Sequence, residues 1–350
     1  VNETARDCDA VEPARQRALP LVWVLSTGGT IAGKGASATD LSEYQASSLL
    51  GSELLDAVPE VRRFADVTVE QVVNVASPDM TLEVWCRLAR RIDEIFCADP
   101  KVAGVVITHG TSTLEETAYF LHLTVRHDRP VVLVGAQRPS TAISADGPLN
   151  LLNAVRTAAS AQARGKGVLV VMNDEINGAR DVTKANTYRV ETFRSGELGF
   201  LGYVDDDQVT FYKASTRRHT VNSEFSLGDL ARWPKVEIVA SYAGCSTAPL
   251  RALMHEGVQG IVFASPGAGS LSAAEVDAVK ELTTPGSPTG PVLMRSTRTG
   301  NGRVLGRRAF DALGLLPTDN LSPQKARILL MLALTQTRDR REIARIFSEY

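Results

Sequence analysis

A chain of 350 residues is longer than a single hydrophobic core usually grows, so two domains are expected. With 44% apolar and 22% charged residues and a net charge of −2, it has no electrostatic reason to bind nucleic acid or a membrane surface, and no apolar run reaches the roughly 18 to 20 residues of a membrane span. Four scattered cysteines (Cys8, Cys86, Cys97, Cys245) and five unclustered histidines give no metal-ligand spacing, so neither metal nor cofactor is expected and the partner should be a small molecule.

Residues 1–20 read as a polar extension that lacks the basic start and apolar centre of a secretory signal. They suit either the opening of a cytoplasmic protein or what remains after a signal is cut. From residue 21, apolar runs alternate with helical patterns. Strands are expected at 21–27, 67–76, 102–108, 130–136 and 167–172. The unbroken apolar runs at 102, 130 and 167 suit strands buried on both faces of a parallel sheet. Between them, Leu82, Trp85, Leu88, Ile92 and Ile95 form one helical stripe over 81–96, and Leu114, Ala118, Leu121 and Val125 another over 112–125. A third helix should begin at Gly147-Pro148, where proline suits the first turn.

Residues 214–234 lose apolar periodicity and end at a proline, which marks a linker. Beyond it, strands at 236–241, 260–264 and 291–295 alternate with helices that finish with 323–335 and 339–349. The expected class is therefore α/β. A larger N-terminal domain (21–213) has a mostly parallel sheet with helices on both faces, and a smaller C-terminal α/β domain covers 235–350.

Two stretches share one grammar: an apolar run, then glycines and hydroxyls. They are VLSTGGTIAG (24–33) and GVVITHGTSTLEETAYFL (104–121). Ligands in an open α/β sheet sit at the carboxyl ends of strands, so Thr30, after Gly28-Gly29, and Thr111, after His109-Gly110, should face one cleft. A threonine hydroxyl needs a base to become a nucleophile. Lys184, in ARDVTKANT, comes from another loop at the same sheet edge, and a desolvated lysine can lose its proton near neutral pH. Tyr44 ends a Gly/Ser-rich segment, 33–44, that could close over the cleft. The combination suits acyl transfer. GGTIAG lacks the Lys-Ser/Thr of a P-loop and is not G-x-G-x-x-G, which argues against phosphoryl or redox chemistry. Plainer readings stand beside these: Ser112 and Glu115 fit a helix capping box, and a lone lysine is most often a solvated surface charge.

STGGTIAG, ITHGT.TLEETAYFL, VGAQRPSTAISADGPLNLLNAV, GVLVVMND, RDVTKANT and SPQKARILLMLALTQT occur in this order along the chain. Together they resemble the bacterial type II L-asparaginase/glutaminase-asparaginase family from about residue 20 to 350. The resemblance implies Thr30 as the primary nucleophile, Tyr44 as the loop tyrosine, and Thr111 as a second catalytic threonine supported by Lys184. It puts Ser77 at the substrate's α-carboxylate, with Gly29, Gly110, Pro78 and Ser112 at substrate-binding positions. It further implies hydrolysis of a small side-chain amide such as L-asparagine through an acyl-threonine, and a homotetramer built from intimate dimers.

Three positions depart from the family's pattern. Pro78 stands where the family has Gln or Glu, Ser112 where it has Asp, and Gly244 where a neighbouring subunit offers Asn. All three surround the substrate's α-ammonium in the family. A carboxylate at 112 would add a charge-assisted hydrogen bond worth about 1.5 to 3 kcal/mol. Two enzymatic readings follow: an asparaginase that holds the amine through other groups, Asp79 or Glu175 among them, or an amidohydrolase for a succinamate-like or N-acylated amide without a free α-amine. A non-catalytic binding protein is a third reading, opposed by the joint presence of Thr30, Tyr44, Thr111 and Lys184. The resemblance points to the periplasm, with the cytoplasm as the alternative. The disulfide that some members carry would need a partner for Cys97, and the matching position holds His127.

Overall fold

The structure, a computed structural model, describes residues 18–227, 233–282 and 290–350. The chain opens with β1 (Leu21–Gly28), the short β2 (Lys34–Gly35) and β3 (Tyr44–Gln45), α1 (Gly51–Asp56), β4 (Asp66–Val75), α2 (Leu82–Ala98) and β5 (Val102–Thr108). It continues through α3 (Leu114–Thr124), β6 (Val131–Val134), α4 (Gly147–Ala159), β7 (Val168–Met172), β8 (Glu175–Gly178), β9 (Thr183–Lys184), β10 (Phe193–Arg194), β11 (Gly202–Val204) and β12 (Val209–Phe211). The C-terminal part contains β13 (Val236–Ala240), α5 (Ala248–His255), β14 (Gly260–Ser265), α6 (Ala273–Leu282), β15 (Val292–Thr297), α7 (Arg308–Asp311), β16 (Leu315–Pro317), α8 (Pro323–Leu334) and α9 (Arg340–Glu349).

Eight strands make the large sheet, in the order β12-β11-β8-β7-β6-β5-β1-β4. It is parallel from β4 to β7 and antiparallel at the β8, β11 and β12 edge. Its unbroken apolar strands follow from burial on both faces, because alternate side chains go to opposite layers. Val105, Ile107, Leu133 and Val170 point into the core beneath α2 and α3, whereas Val106, Val132, Val134 and Val171 point into the core shared with α1 and α4. The second sheet, β13-β14-β15-β16, is wholly parallel and has its own core around Val239, Ile261, Phe263 and Leu293.

Helix α8 is buried nearly all round, with Ile328, Leu329, Leu330, Leu332 and Ala333 each fully covered. A helix without a polar face belongs inside a protein. This one lies against α3 of the first domain and β13 and β14 of the second, so its N-terminus reaches the functional end of the large sheet.

Strand β1 has β4 on one side and β5 on the other. The chain passes from β1 to β4 and then crosses by α2 to β5, so the loops that leave β1 and β5 diverge. That divergence opens a crevice at the carboxyl ends of the two strands. Within the stretch expected as a linker, His219, Thr220, Ser223 and Phe225 are buried, and residues 228–232 lie outside the described part. Cys86 and Cys97 lie on α2 itself, Cys86 buried and Cys97 exposed; Cys8 is outside the described residues.

Candidate active site

Three turns meet backbone to backbone in the crevice. Gly28 and Gly29 take φ of 101° and 87°, values that L side chains rarely adopt. A Cβ on Gly29 would lie 2.3 Å from the N and Cα of Gly110, and a Cβ on Gly110 would lie 2.8 Å from the Ser77 side chain. The turns after β1, β5 and β4 can therefore stack only because two of them lack side chains. Hydrogen bonds fix the stack. Gly29 N donates to Ser47 Oγ at 2.8 Å, Ser47 Oγ to Val75 O at 2.9 Å, and Thr27 Oγ1 to Thr108 O at 2.7 Å.

A cleft of about 750 Å³ opens over this stack, and Thr30, Tyr44, Thr111, Ser112 and Lys184 line it. Two hydroxyl pairs face it. Thr30 Oγ1 lies 2.6 Å from Tyr44 OH, and Lys184 Nζ donates to Thr111 Oγ1 at 2.7 Å. Tyr44 is carried by the β2–β3 ladder and Lys184 by the β9–β10 ladder, so neither depends on a free loop for its position. Burial lowers the Lys184 pKa below the ordinary lysine value, because the charged amine loses hydration. The arrangement can raise one hydroxyl as a nucleophile and hold a proton acceptor beside the other.

Ser77 stands just behind the lining. It is 4% exposed; its Oγ accepts the Ser112 N–H at 3.1 Å, and its carbonyl accepts Thr113 Oγ1 at 2.6 Å. Gly29 and Gly110 form the floor described above. Pro78 is exposed, and Pro78, Asp79, Glu175 and Gly244 do not line the cleft. Glu175 instead faces Arg194 at 3.5 Å.

The capping box expected at Ser112 is absent. Helix α3 starts at Leu114, its N-cap is Thr113, and no side chain caps it. Glu115 is used elsewhere. One carboxylate oxygen accepts the backbone N–H of Lys184 at 2.9 Å, and the other accepts Gln324 Nε2 at 2.6 Å. Next to Gln324, the buried amine of Lys325 donates to the carbonyls of Arg180 and Val182, so two residues of α8 anchor the segment that leads to Lys184. Sequence reasoning missed Glu115, Gln324 and Lys325 as supports. Their only signal was a glutamate that matched a local motif and two polar residues at the head of a helix that is apolar from Ile328 on.

His109 holds the Thr111 turn from below. Its Nδ1 lies 2.7 Å from Gly110 O, a carbonyl that can only accept, so Nδ1 carries the proton. Its Nε2 lies 2.8 Å from Thr117 Oγ1, which also accepts from Trp85 Nε1 at 2.8 Å, so Thr117 donates to the ring. Complete burial pushes the imidazole pKa down to about 4 and keeps it neutral. Among the described residues, no group of three or more His, Cys, Asp or Glu side chains is placed to hold a metal, and no helix is long and apolar enough to cross a membrane.

Residues 21–217 match the asparaginase N-terminal family, and residues 235–347 match the glutaminase/asparaginase C-terminal domain. The chain is 47% identical to L-asparaginase 2 of Bacillus subtilis, over 96% of this chain and 88% of that one. It is 45% identical to a protein of Haemophilus influenzae described as a probable periplasmic L-asparaginase, over 95% and 93% of the two lengths. The crystal structure of a probable cytoplasmic L-asparaginase from Campylobacter jejuni superposes with a TM-score of 0.90 at 44% identity, covering 95% of this chain and all of that one.

Proposed function

This chain belongs to the asparaginase family, and from that premise we propose that it hydrolyses L-asparagine to L-aspartate and ammonia with the Thr30 hydroxyl as nucleophile. The observation that carries this reading is that two hydrogen-bonded hydroxyl pairs, Thr30 with Tyr44 and Thr111 with Lys184, line one cleft. In the first half-reaction Thr30 Oγ1 attacks the side-chain amide carbon, and its proton passes by way of the Tyr44 hydroxyl to the amide nitrogen that will leave. The carbonyl oxygen gains the negative charge, and collapse of the tetrahedral species breaks the C–N bond and releases ammonia. Water then attacks the acyl-threonine with the Thr111–Lys184 pair taking its proton, the bond between the acyl carbon and Thr30 Oγ1 breaks, that proton returns to Thr30, and aspartate leaves. Ser77 and Gly110 hold the substrate's carboxylate end. Thr30→Ala should lower ammonia release from L-asparagine by at least about 10³-fold while the thermal midpoint stays unchanged. Full activity in that variant would end the proposal.

One observation favours a second reading. The carboxylate lining the cleft is that of Glu115, and both its oxygens are engaged by Lys184 N and Gln324 Nε2. Ser112 offers a neutral hydroxyl, so a substrate ammonium meets no unengaged carboxylate among the described lining residues. On this reading succinamate-type amides are cleaved with higher kcat/KM than L-asparagine. Equal or lower values dispose of it.

The assembly we propose is a homotetramer in the periplasm. Support for the compartment is the likeness to the H. influenzae protein; the description of the C. jejuni protein points to the cytoplasm instead. Light scattering after gel filtration and cell fractionation test the two points separately: a monomer contradicts the first, recovery with the cytoplasmic fraction the second.

A further inference from the structure

Gln137 lies in the cleft, and nothing above gives it a role. The residue is 9% exposed and lines the cleft with Thr30, Tyr44, Thr111 and Lys184, yet among the described residues its buried Nε2 has no acceptor. Buried amide donors are nearly always paired, and an unpaired one destabilises the resting protein.

Its backbone is fixed with care. Asp146 accepts the N–H groups of Gln137 and Arg138, each at 2.9 Å, and Asn150 Nδ2 donates to Gly135 O at 3.1 Å. The segment touches both reactive turns. A Cβ on Gly135 would lie 3.0 Å from the Thr111 methyl group, and on the other side Ser140 N and Oγ donate to Gly33 O at 2.9 and 2.8 Å, against the turn that carries Thr30. Gln137 is thus held between the two threonines on the wall of the cleft, with a covered, unpaired donor that a turn of its side-chain amide would bring to a bound substrate.

We propose that Gln137 Nε2 donates a hydrogen bond to a carbonyl or carboxylate oxygen of the bound amide substrate, which makes it a substrate-contacting residue of this site. The proposal rests on the amidohydrolase reading above. The unpaired donor then has a purpose: the substrate brings the acceptor that the resting protein lacks. Removing the donor should therefore weaken the enzyme without weakening the fold, the opposite of what a structural amide would do.

The test compares wild type with Gln137→Met, which keeps length and loses the donor, and with Gln137→Glu, which keeps shape and loses the same donor should the first variant not fold. Two readouts are taken: kcat/KM for ammonia release from L-asparagine, and the rise in thermal midpoint caused by saturating L-aspartate. The expected result is a fall in kcat/KM of about tenfold or more, a smaller L-aspartate shift, and a ligand-free midpoint equal to or above that of wild type. A kcat/KM within twofold of wild type with an undiminished L-aspartate shift overturns the proposal. So does a lowered ligand-free midpoint with the L-aspartate shift intact. Failure of the underlying reading is separate and shows in wild type itself, as no ammonia release.

Discussion

At neutral pH an exposed lysine is almost wholly charged and cannot take a proton, so the chemistry assigned to Lys184 depends on its half-buried place beside Thr111. Its pKa is lowered by desolvation, and the neutral amine is the form that accepts a proton. Protonation on acidification must therefore switch the pair off, and kcat should fall as pH drops through a single ionisation that lies below the ordinary lysine range. A pH–rate profile of wild type against Lys184→Met checks this: the variant should lose about 10² to 10⁴ in kcat together with that limb. An unchanged limb in the variant would assign the ionisation elsewhere. His109 gives a stability counterpart. Its folded pKa of about 4 lies below its ordinary 6.5, so between those values the unfolded chain binds a proton that the folded chain does not. Stability is full above the upper value and is lost as pH falls through the window, by about 3 kcal/mol once both states are protonated. His122 and His219 shift the same way through burial. Urea denaturation at steps from pH 7 to 4 should show the decline, and His109→Gln should flatten it; a curve as steep in the variant would exclude His109 as a source.

At the scale of elements, the convergence of turns rests on Gly29 and Gly110. Gly29→Ala would place a Cβ 2.3 Å from the Gly110 backbone at a φ of 87°, so it should destabilise by about 1 to 3 kcal/mol and remove activity by displacing Thr30. A stable, active Gly29→Ala protein would mean that the turns do not need this contact. The strands that build the site were legible in the sequence because burial on both faces leaves an unbroken apolar run, as in β5 and β7, and the turns were legible because glycines and hydroxyls follow directly. The fold class and the cleft-lining set Thr30, Tyr44, Thr111 and Lys184 were read from this pattern and from the resemblance. Glu115 was misread because spacing alone fits a capping box, whereas its oxygens serve groups 69 and 209 positions away. Gln137 gave no signal, since an unpaired buried donor exists only in three dimensions. The short β8, β11 and β12 edge was equally hidden, being three or four residues per strand and set by the ladder they extend.

On the scale of the molecule, the C-terminal domain contributes to the site through α8. Gln324 binds Glu115, Glu115 holds the Lys184 backbone, and Lys325 holds the carbonyls just before it. Glu115→Ala should cost about 1 to 3 kcal/mol by leaving partly buried donors unpaired, and should lower kcat more than it changes KM because Lys184 loses its register. Combined with Gln324→Ala, the two effects should be less than additive in a double-mutant cycle, with a coupling of about 0.5 to 3 kcal/mol. Strict additivity would mean that the Gln324–Glu115 hydrogen bond does not couple the two domains. The proposed reaction as a whole turns on Thr30 as the group that becomes acylated. The most direct measurement is peptide mass mapping of Lys184→Met enzyme quenched during turnover of L-asparagine, where slowed hydrolysis lets the intermediate accumulate. An aspartyl adduct on the peptide containing Thr30 is the predicted result; an adduct on Thr111, or turnover with no adduct on either threonine, would contradict it.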